Sequence, residues 1–450
     1  MRVACVDSWG MATSWWLRLQ AEGCDVRVYM KSEDCNVGGT GDGLVTKEPS
    51  YDRLVSWAKE SPEDTVVLFC QSLYGEKADE LRRAGLKVVG GGSFADKLEK
   101  DREFGQNVAE RIGFAIPEFQ SFKTLSDAID GCRNRPDGGV FKTNTYIEAD
   151  ATQVKKTGEE LVSYIKNLRE RYHDRVSCII QELIGGKRSV DLDVTRWWDG
   201  NEFVGPHEIA LEKKRFLNDD FGPSTGCALN AVWFQEDNPL EEDLDYARLA
   251  EFLRDHEAPA APYSVNFRIS DEDGKPYFLE WTPRMGYDCC TTVALLYDSL
   301  SEMLWRVATG QGGTGVSDDL SYSVRLSVPP FPFEYPPTDG KHTPDGLLLG
   351  DLGDGYSPPF IAGQVRSERE GEYRVAGHDG IIGCAVAVGD DLETMADGVR
   401  MFCDDLHDSV SKLQCRTDGA TVIQEDARKL EALGIDTHPA ILKSAEEKVA

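Results

Sequence analysis

An acid, a hydroxyl and an arginine stand at alternate positions in Phe278-Leu279-Glu280-Trp281-Thr282-Pro283-Arg284-Met285-Gly286. The apolar start of this segment reads as a strand, and side chains two apart on a strand share a face, so Glu280 and Thr282 project together. A carboxylate beside a neutral oxygen suits a hard cation such as Mg2+ or Mn2+, which takes one or two protein ligands and completes its shell with water and phosphate oxygens. The competing reading is an edge-strand ion pair of Glu280 with Arg284, which needs no metal. A second segment runs Lys213-Lys214-Arg215, then Asn218-Asp219-Asp220-Phe221, then Gly222-Pro223-Ser224-Thr225-Gly226. Clustered cations beside a glycine-bounded Ser-Thr turn rich in backbone amides can cradle a carboxylate or a phosphate. A solvated loop has the same composition. In a third segment Gln181-Glu182-Leu183-Ile184 leaves an apolar strand for the turn Gly185-Gly186, as any core strand can.

Groups this far apart in sequence need a scaffold that brings them together. Short apolar runs at 3–7, 25–29, 65–70 and 86–90 alternate with helical stretches at 14–22 and 77–84, which predicts a small doubly wound parallel sheet over 1–95. A charged amphipathic helix over 94–112 is closed off by Pro117 and opens a second unit, 96–318. That unit holds a strand at 139–142, a helix at 158–172 and a strand at 177–183. Alternating strands at 189–197 and 275–281 follow, with turns at Asp199-Gly200 and Asp273-Gly274. A third unit, 319–450, contains a proline-rich connection at 329–337, after which come a strand at 381–388 and a helix at 392–407.

Composition narrows the function classes. With 79 acidic against 49 basic residues the formal net charge is -30, which opposes contact with nucleic-acid phosphates and anionic membranes. No apolar run is long enough to span a bilayer and the first residues lack a secretory pattern, so a cytoplasmic location is expected. The 12 cysteines form no CxxC pair, which suits neither a zinc knuckle nor a disulfide framework.

The order and spacing of these segments resemble, almost end to end, the glycinamide ribonucleotide synthetases, the phosphoribosylamine–glycine ligases of the ATP-grasp superfamily. The match runs from Gly85-Leu86-Lys87-Val88-Val89-Gly90 and Leu98-Glu99 to Asp379-Gly380 and the strand at 381–388. The resemblance implies an α/β ATP-grasp fold with an N-terminal doubly wound parallel-sheet domain and a small C-terminal α+β domain. It implies ATP as nucleotide, held by Arg102 and Lys142 at the phosphates and by Gln181, Glu182, Leu183 and Ile184 at the adenine, with Glu280 and Thr282 on the metal. Lys214, Arg215 and Asp220 with Gly222, Pro223, Ser224, Thr225 and Gly226 are similar to the family's KR...D.GPNTGG segment. Arg284 and Gly286 are similar to part of its EFNxRFGDPE strand. By this resemblance Lys214, Arg215 and Arg284 are catalytic, and Asp220, the 222–226 residues, Arg284 and Gly286 bind substrate.

The departures are as informative. Where the family has a glycine-rich lid, this chain reads Thr143-Asn144-Thr145-Tyr146-Ile147-Glu148-Ala149-Asp150, without glycine or lysine. Thr282 replaces the metal asparagine, and Gly186-Lys187-Arg188 replaces a pair of ribose-contacting acids. The turns at 7–13 and 71–75 lack the arginine and histidine that would hold a sugar phosphate. The expectation is an ADP-forming ligase that activates a carboxylate, such as glycine, as an acyl phosphate and joins it to an amine other than phosphoribosylamine. A genuine phosphoribosylamine–glycine ligase, an amino-acid ligase acting on a modified nucleotide or other small amine, and a nucleotide-binding pseudo-enzyme are the alternatives. Partners are expected to be small-molecule amino acid and amine substrates, and the assembly a monomer or homodimer.

Overall fold

The computed structural model describes residues 1–31, 39–133, 135–144, 152–186, 188–240, 243–286, 288–332, 343–369 and 371–443. Most of the glycine-poor loop expected after Lys142, Lys187, and most of the proline-rich connection lie outside the described residues.

The chain begins with a five-stranded parallel sheet in the order Thr46–Lys47, Asp25–Tyr29, Arg2–Val6, Thr65–Phe69, Lys87–Val89. Alternate residues of its strands bury on opposite faces, as covered parallel sheets require. Val3 and Cys5 pack with Trp15, Trp16 and Leu19 of helix Thr13–Ala21, while Ala4 and Val6 pack with Leu54 and Trp57 of helix Tyr51–Lys59. The helix expected over 94–112 is two helices, Ser93–Lys100 and Arg102–Ile112. Asp101 divides them because its side chain caps the second, accepting from the Phe104 amide at 3.0 Å.

Two further sheets form the body that carries the chemistry. A four-stranded sheet in the order Phe119–Phe122, Cys178–Gln181, Asp137–Thr143, Thr152–Thr157 packs against helices Leu125–Cys132 and Gly158–Tyr172. A nine-stranded antiparallel sheet runs Pro276–Thr282, Ala261–Ile269, Val190–Trp198, Phe203–Leu217, Phe221–Gln235, Leu320–Ser327, Ile381–Gly389, Phe360–Ala362, Tyr356–Ser357. Strands from beyond position 318 therefore extend the sheet that carries the central ones. A small three-stranded sheet, Leu348–Asp351, Glu372–Val375 and Val365–Arg369, is separately hydrogen-bonded and buries Leu349, Val365, Tyr373 and Val375 in the main core.

The period of two sorts the large sheet into a wet face and a dry one. Val190, Leu192, Val194, Val265, Phe267 and Trp281 enter the main core. The register sets Asn266 opposite both Asp193 and Glu280, and Ser264 opposite Thr282, so their side chains share the other face. Among the described residues no helix is long and apolar enough to cross a membrane.

Candidate active site

Glu280 is where three segments meet. It stands near the end of strand Pro276–Thr282 and pairs with Arg102 from the start of helix Arg102–Ile112 at 2.9 Å, and with Lys214 of strand Phe203–Leu217 at 3.8 Å. Lys142 arrives from the four-stranded sheet and donates to the Leu279 carbonyl at 2.7 Å. That carbonyl is available because the ladder slips at this point: Asn266 faces Glu280, Phe267 faces Phe278, and Leu279 is bulged out between them. Gln106 donates to the same carbonyl at 3.2 Å. The bulge is thus the device that places a buried lysine beside the carboxylate.

The electrostatics follow from this crowding. Burial alone would raise the Glu280 carboxyl, but Arg102, Lys214, Lys142 and Arg284 outweigh it and hold it at about 2. For Lys142 burial wins: the ammonium is pushed down to about 7, with Glu280 offsetting part of the cost and Arg102 and Lys214 adding repulsion. Burial would also lower Lys214, yet Glu212, Glu280, Asp191 and Asp193 hold it above the usual lysine range. Asp193, bonded by Ser264 and by Thr195, is carried up to about 6 by its burial. One permanently ionised carboxylate therefore sits among three cations, one of which is poised to change charge.

The residues around Glu280 fit a hard divalent cation. Thr282 Oγ1 is on the same face, and Asn266 Nδ2 donates to it at 3.3 Å, which leaves the Asn266 amide oxygen as a third neutral or anionic oxygen at the strand pair. Asn266 was not singled out from the sequence, because its relevance comes from the register and not from a motif. Glu280, Thr282 and Asn266 would hold the ion, and its one carboxylate suits magnesium, which keeps several waters. The alternative pair of Glu280 with Arg284 does not form. The strand ends at Thr282, Pro283 turns the chain, and Arg284 binds Glu99 instead, through Nε at 3.0 Å and Nη2 at 2.9 Å.

The expected adenine hinge is partly committed elsewhere. The Glu182 amide donates to Glu118 O at 2.9 Å, the Glu182 carboxylate accepts from the Glu118 amide at 2.8 Å, and Ile184 O accepts from Arg268 at 2.9 Å. Leu183 is exposed. Gln181 is buried, and its Nε2 has no hydrogen-bond partner among the described residues. A buried donor without a partner costs about 1 to 3 kcal/mol, so an acceptor on a bound molecule would relieve it.

The segment expected to form a Ser-Thr nest is instead the end of a long hairpin. Phe203–Leu217 and Phe221–Gln235 pair with irregular register around Arg215 opposite Ser224, and Gly222 and Gly226 adopt φ values of 80° and 78° inside the second strand. Arg215 donates to Gly222 O at 2.7 Å, while Pro223 and Ser224 are exposed. Asp220 is tied to the C-terminal part of the chain and not to the Glu280 cluster: Arg416 pairs with it at 2.7 Å and Lys213 at 3.3 Å. Arg416 also holds Asp418 at 2.7 Å and donates to Arg215 O at 3.1 Å. Only Lys214 of this segment reaches Glu280 directly. Its neighbour Thr225 donates to Lys214 O at 3.1 Å, and Thr225 O accepts from Arg325, which pairs with Asp288 at 2.7 Å just past Gly286. Arg416→Ala is expected to lower stability by about 2 kcal/mol, less than for a fully buried pair because Asp220 is half-exposed. Urea melts check this, and an unchanged midpoint would refute the tether.

The turn after the first strand is filled by its own carboxylate. Asp7 accepts from the amides of Trp9 at 2.9 Å, Gly10 at 3.0 Å and Ala12 at 2.9 Å, and from Gln71 Nε2 at 2.6 Å. Gln71 Oε1 in turn accepts from the Ser8 amide at 3.0 Å. Next to this closed network a narrow pocket forms between the turn, the end of strand Thr65–Phe69, and Arg284, Met285 and Gly286.

No family model matches the sequence. The phosphoribosylamine–glycine ligase of Neisseria meningitidis serogroup B is 22% identical over 329 residues, 70% of this chain and 74% of the relative. Among solved structures, the phosphoribosylamine–glycine ligase of Thermotoga maritima superposes with a TM-score of 0.67 at 16% identity, covering 93% of this chain and 100% of that one. The biotin carboxylase domain of 2-oxoglutarate carboxylase from Hydrogenobacter thermophilus, solved with MgADP and bicarbonate, gives 0.61 at 12% identity over 99% of this chain and 98% of that one. These likenesses show that the chain has the ATP-grasp fold, and in sequence it is similar, at low identity, to phosphoribosylamine–glycine ligases.

Proposed function

We propose that the protein is an ADP-forming carboxylate–amine ligase. The observation that carries this reading is the convergence of Arg102, Lys142 and Lys214, from three separate segments, on the ionised Glu280. Triphosphate would lie between the two sheets, with its adenine against Gln181 and its terminal phosphates against Lys142 and Arg102. The divalent ion on Glu280, Thr282 and Asn266 would supply Lewis-acid charge to the terminal phosphates.

The substrate carboxylate oxygen attacks the γ-phosphorus in line, the bond to the β,γ-bridging oxygen breaks, and ADP leaves. Charge spreads over the transferring phosphoryl group, and Lys142, Arg102 and Lys214 offset it in a partly desolvated site. The amine lone pair then attacks the acyl carbon and the carbon–oxygen bond to phosphate breaks. Inorganic phosphate departs and the amine nitrogen gives its proton to solvent. The chain's contribution is positioning and fixed charge, so no nucleophilic serine or cysteine is needed.

Glycine or another small amino acid is the proposed carboxylate substrate. Trapping tests the reading: with ATP, magnesium and each amino acid in turn, hydroxylamine captures an acyl phosphate as a hydroxamate, released with stoichiometric ADP. Hydroxamate from at least one amino acid is expected. ADP and hydroxamate at background across all twenty would overturn the ligase assignment.

A further inference from the structure

We propose that Cys403 and Cys415 form a reversible redox pair, a dithiol that a peroxide converts to a disulfide. The pair lies outside the Glu280 cluster and is independent of the ligase reading.

Cys403 sits on the buried stripe of helix Leu392–Ser409, with Met395, Val399 and Leu406 at helical spacing, and enters the main core. Cys415 packs against the same core from the segment that follows the helix. That segment is pinned on both sides of the thiol. Gln414 exchanges backbone hydrogen bonds with Ser327 at 2.8 Å and 3.0 Å, and Arg416 is held by Asp220 and by Asp418, each at 2.7 Å. Cys415 is thereby kept against the helix, and the two thiols hydrogen-bond to each other. Both also lie near enough to the buried Tyr322 to act on its hydroxyl. A disulfide needs sulfurs that can close to about 2.05 Å without moving the backbone, and thiols already in hydrogen-bond contact meet that condition.

The two thiols differ in a way that assigns their roles. Among the cysteines whose side chains are described, Cys415 alone is partly exposed. The Cys403 S–H donates to its sulfur and holds the Cys415 thiol below the usual range, against the effect of burial. The same hydrogen bond, and burial after it, pushes Cys403 above that range. Cys415 is therefore the attacking sulfur and Cys403 the resolving one. The Cys415 thiolate attacks one peroxide oxygen: the S–O bond forms, the O–O bond breaks, and hydroxide leaves. The Cys403 sulfur then attacks the Cys415 sulfur as its proton passes to that hydroxide. The S–S bond forms, the S–O bond breaks, and the second hydroxide takes a proton from solvent. Two thiols are oxidised and the peroxide is reduced to two waters, and an added dithiol reverses the bond by thiol–disulfide exchange.

The experiment treats the reduced full chain with hydrogen peroxide at an excess that oxidises free glutathione completely. Remaining thiols are blocked with N-ethylmaleimide in denaturant, and the digest is mapped by mass spectrometry. Expected is a Cys403 peptide joined to a Cys415 peptide and lighter by two hydrogens, with the loss of two free thiols per chain and their return after dithiothreitol. Cys403→Ser is expected to stop at the sulfenic acid, trapped by dimedone on Cys415, and Cys415→Ser to leave Cys403 as a thiol. If a variant fails to fold, the map of the parent protein decides alone. Recovery of both cysteines as maleimide adducts, Cys415 joined to any other cysteine, or Cys415 carried on to the sulfinic acid in the parent protein would each overturn the pair.

Discussion

Glu280→Gln is expected to lower magnesium-dependent ATP turnover by about a thousandfold or more, with the far-ultraviolet circular dichroism unchanged. The amide keeps the size of the carboxylate and loses the charge that a divalent cation needs. The same change uncovers Arg102 and Lys214, which now pair with Glu280 at 2.9 Å and 3.8 Å, so a second measurement separates a metal ligand from a simple ion-pair partner. If Glu280 holds the metal, the variant binds metal-free ATP at least as tightly as the parent, because a repelling carboxylate has gone, and magnesium no longer enhances binding. If Glu280 only neutralises the arginine and lysine, turnover survives. A parental rate would therefore remove Glu280 from the metal site and with it the placement of the phosphates. Because the Glu280 side chain retains 27% exposure, solvent screens the uncovered cations and the fold is expected to hold.

How much of this was legible in the sequence depends on whether the deciding interaction is local. The strands at 3–7, 25–29, 65–70 and 86–90 show as short apolar runs between turn residues, and the structure places Arg2–Val6, Asp25–Tyr29, Thr65–Phe69 and Lys87–Val89 there. The separation of Glu280 from Arg284 was not visible. It follows from the strand ending at Thr282 and from Glu99, 185 positions away, presenting a better-placed carboxylate. Gly222, Pro223 and Gly226 read as a turn because their local preferences favour one. The long strand Phe203–Leu217 overrides those preferences by pairing, and Arg416 clamps the hairpin end from nearly 200 positions away. Asn266 and the Leu279 bulge were illegible for the same reason, since a register slip between two strands leaves no mark in either strand alone. Lys142, Lys214 and Glu280 lie together in the structure because their segments are held in place by the fold. Asp220, from the same segment as Lys214, pairs with Arg416 and not with the Glu280 cluster.

Lys142 should make nucleotide binding depend on pH near neutrality, well below the range in which an ordinary lysine titrates. Burial among Arg102 and Lys214 brings its ammonium down to about 7 in the free protein, whereas an unfolded chain would titrate it near ~10.4. Between those values the folded state carries fewer protons than the unfolded one, so stability rises with pH across that window, and the contribution is lost as pH falls toward 7. Bound triphosphate reverses the balance: its negative charge favours the ammonium and carries the Lys142 value back up. At pH 8, with the free lysine mostly neutral, binding ATP is then expected to take up a proton, and affinity is expected to fall as pH rises above that point. Calorimetric titrations at pH 8 in two buffers of different ionisation heat count the proton directly. Lys142→Met is expected to abolish the uptake and to reduce ATP turnover by about a hundredfold or more, since a neutral chain of similar length fills the space beside Leu279 without offsetting phosphoryl charge. Lys142→Arg, permanently charged, is expected to bind ATP with no proton uptake. That separates the loss of a titrating group from the loss of packing. If the parent protein takes up no proton at pH 8, Lys142 either carries its charge already or lies away from the phosphates, and only a parental turnover rate for Lys142→Met then removes it from the transfer step.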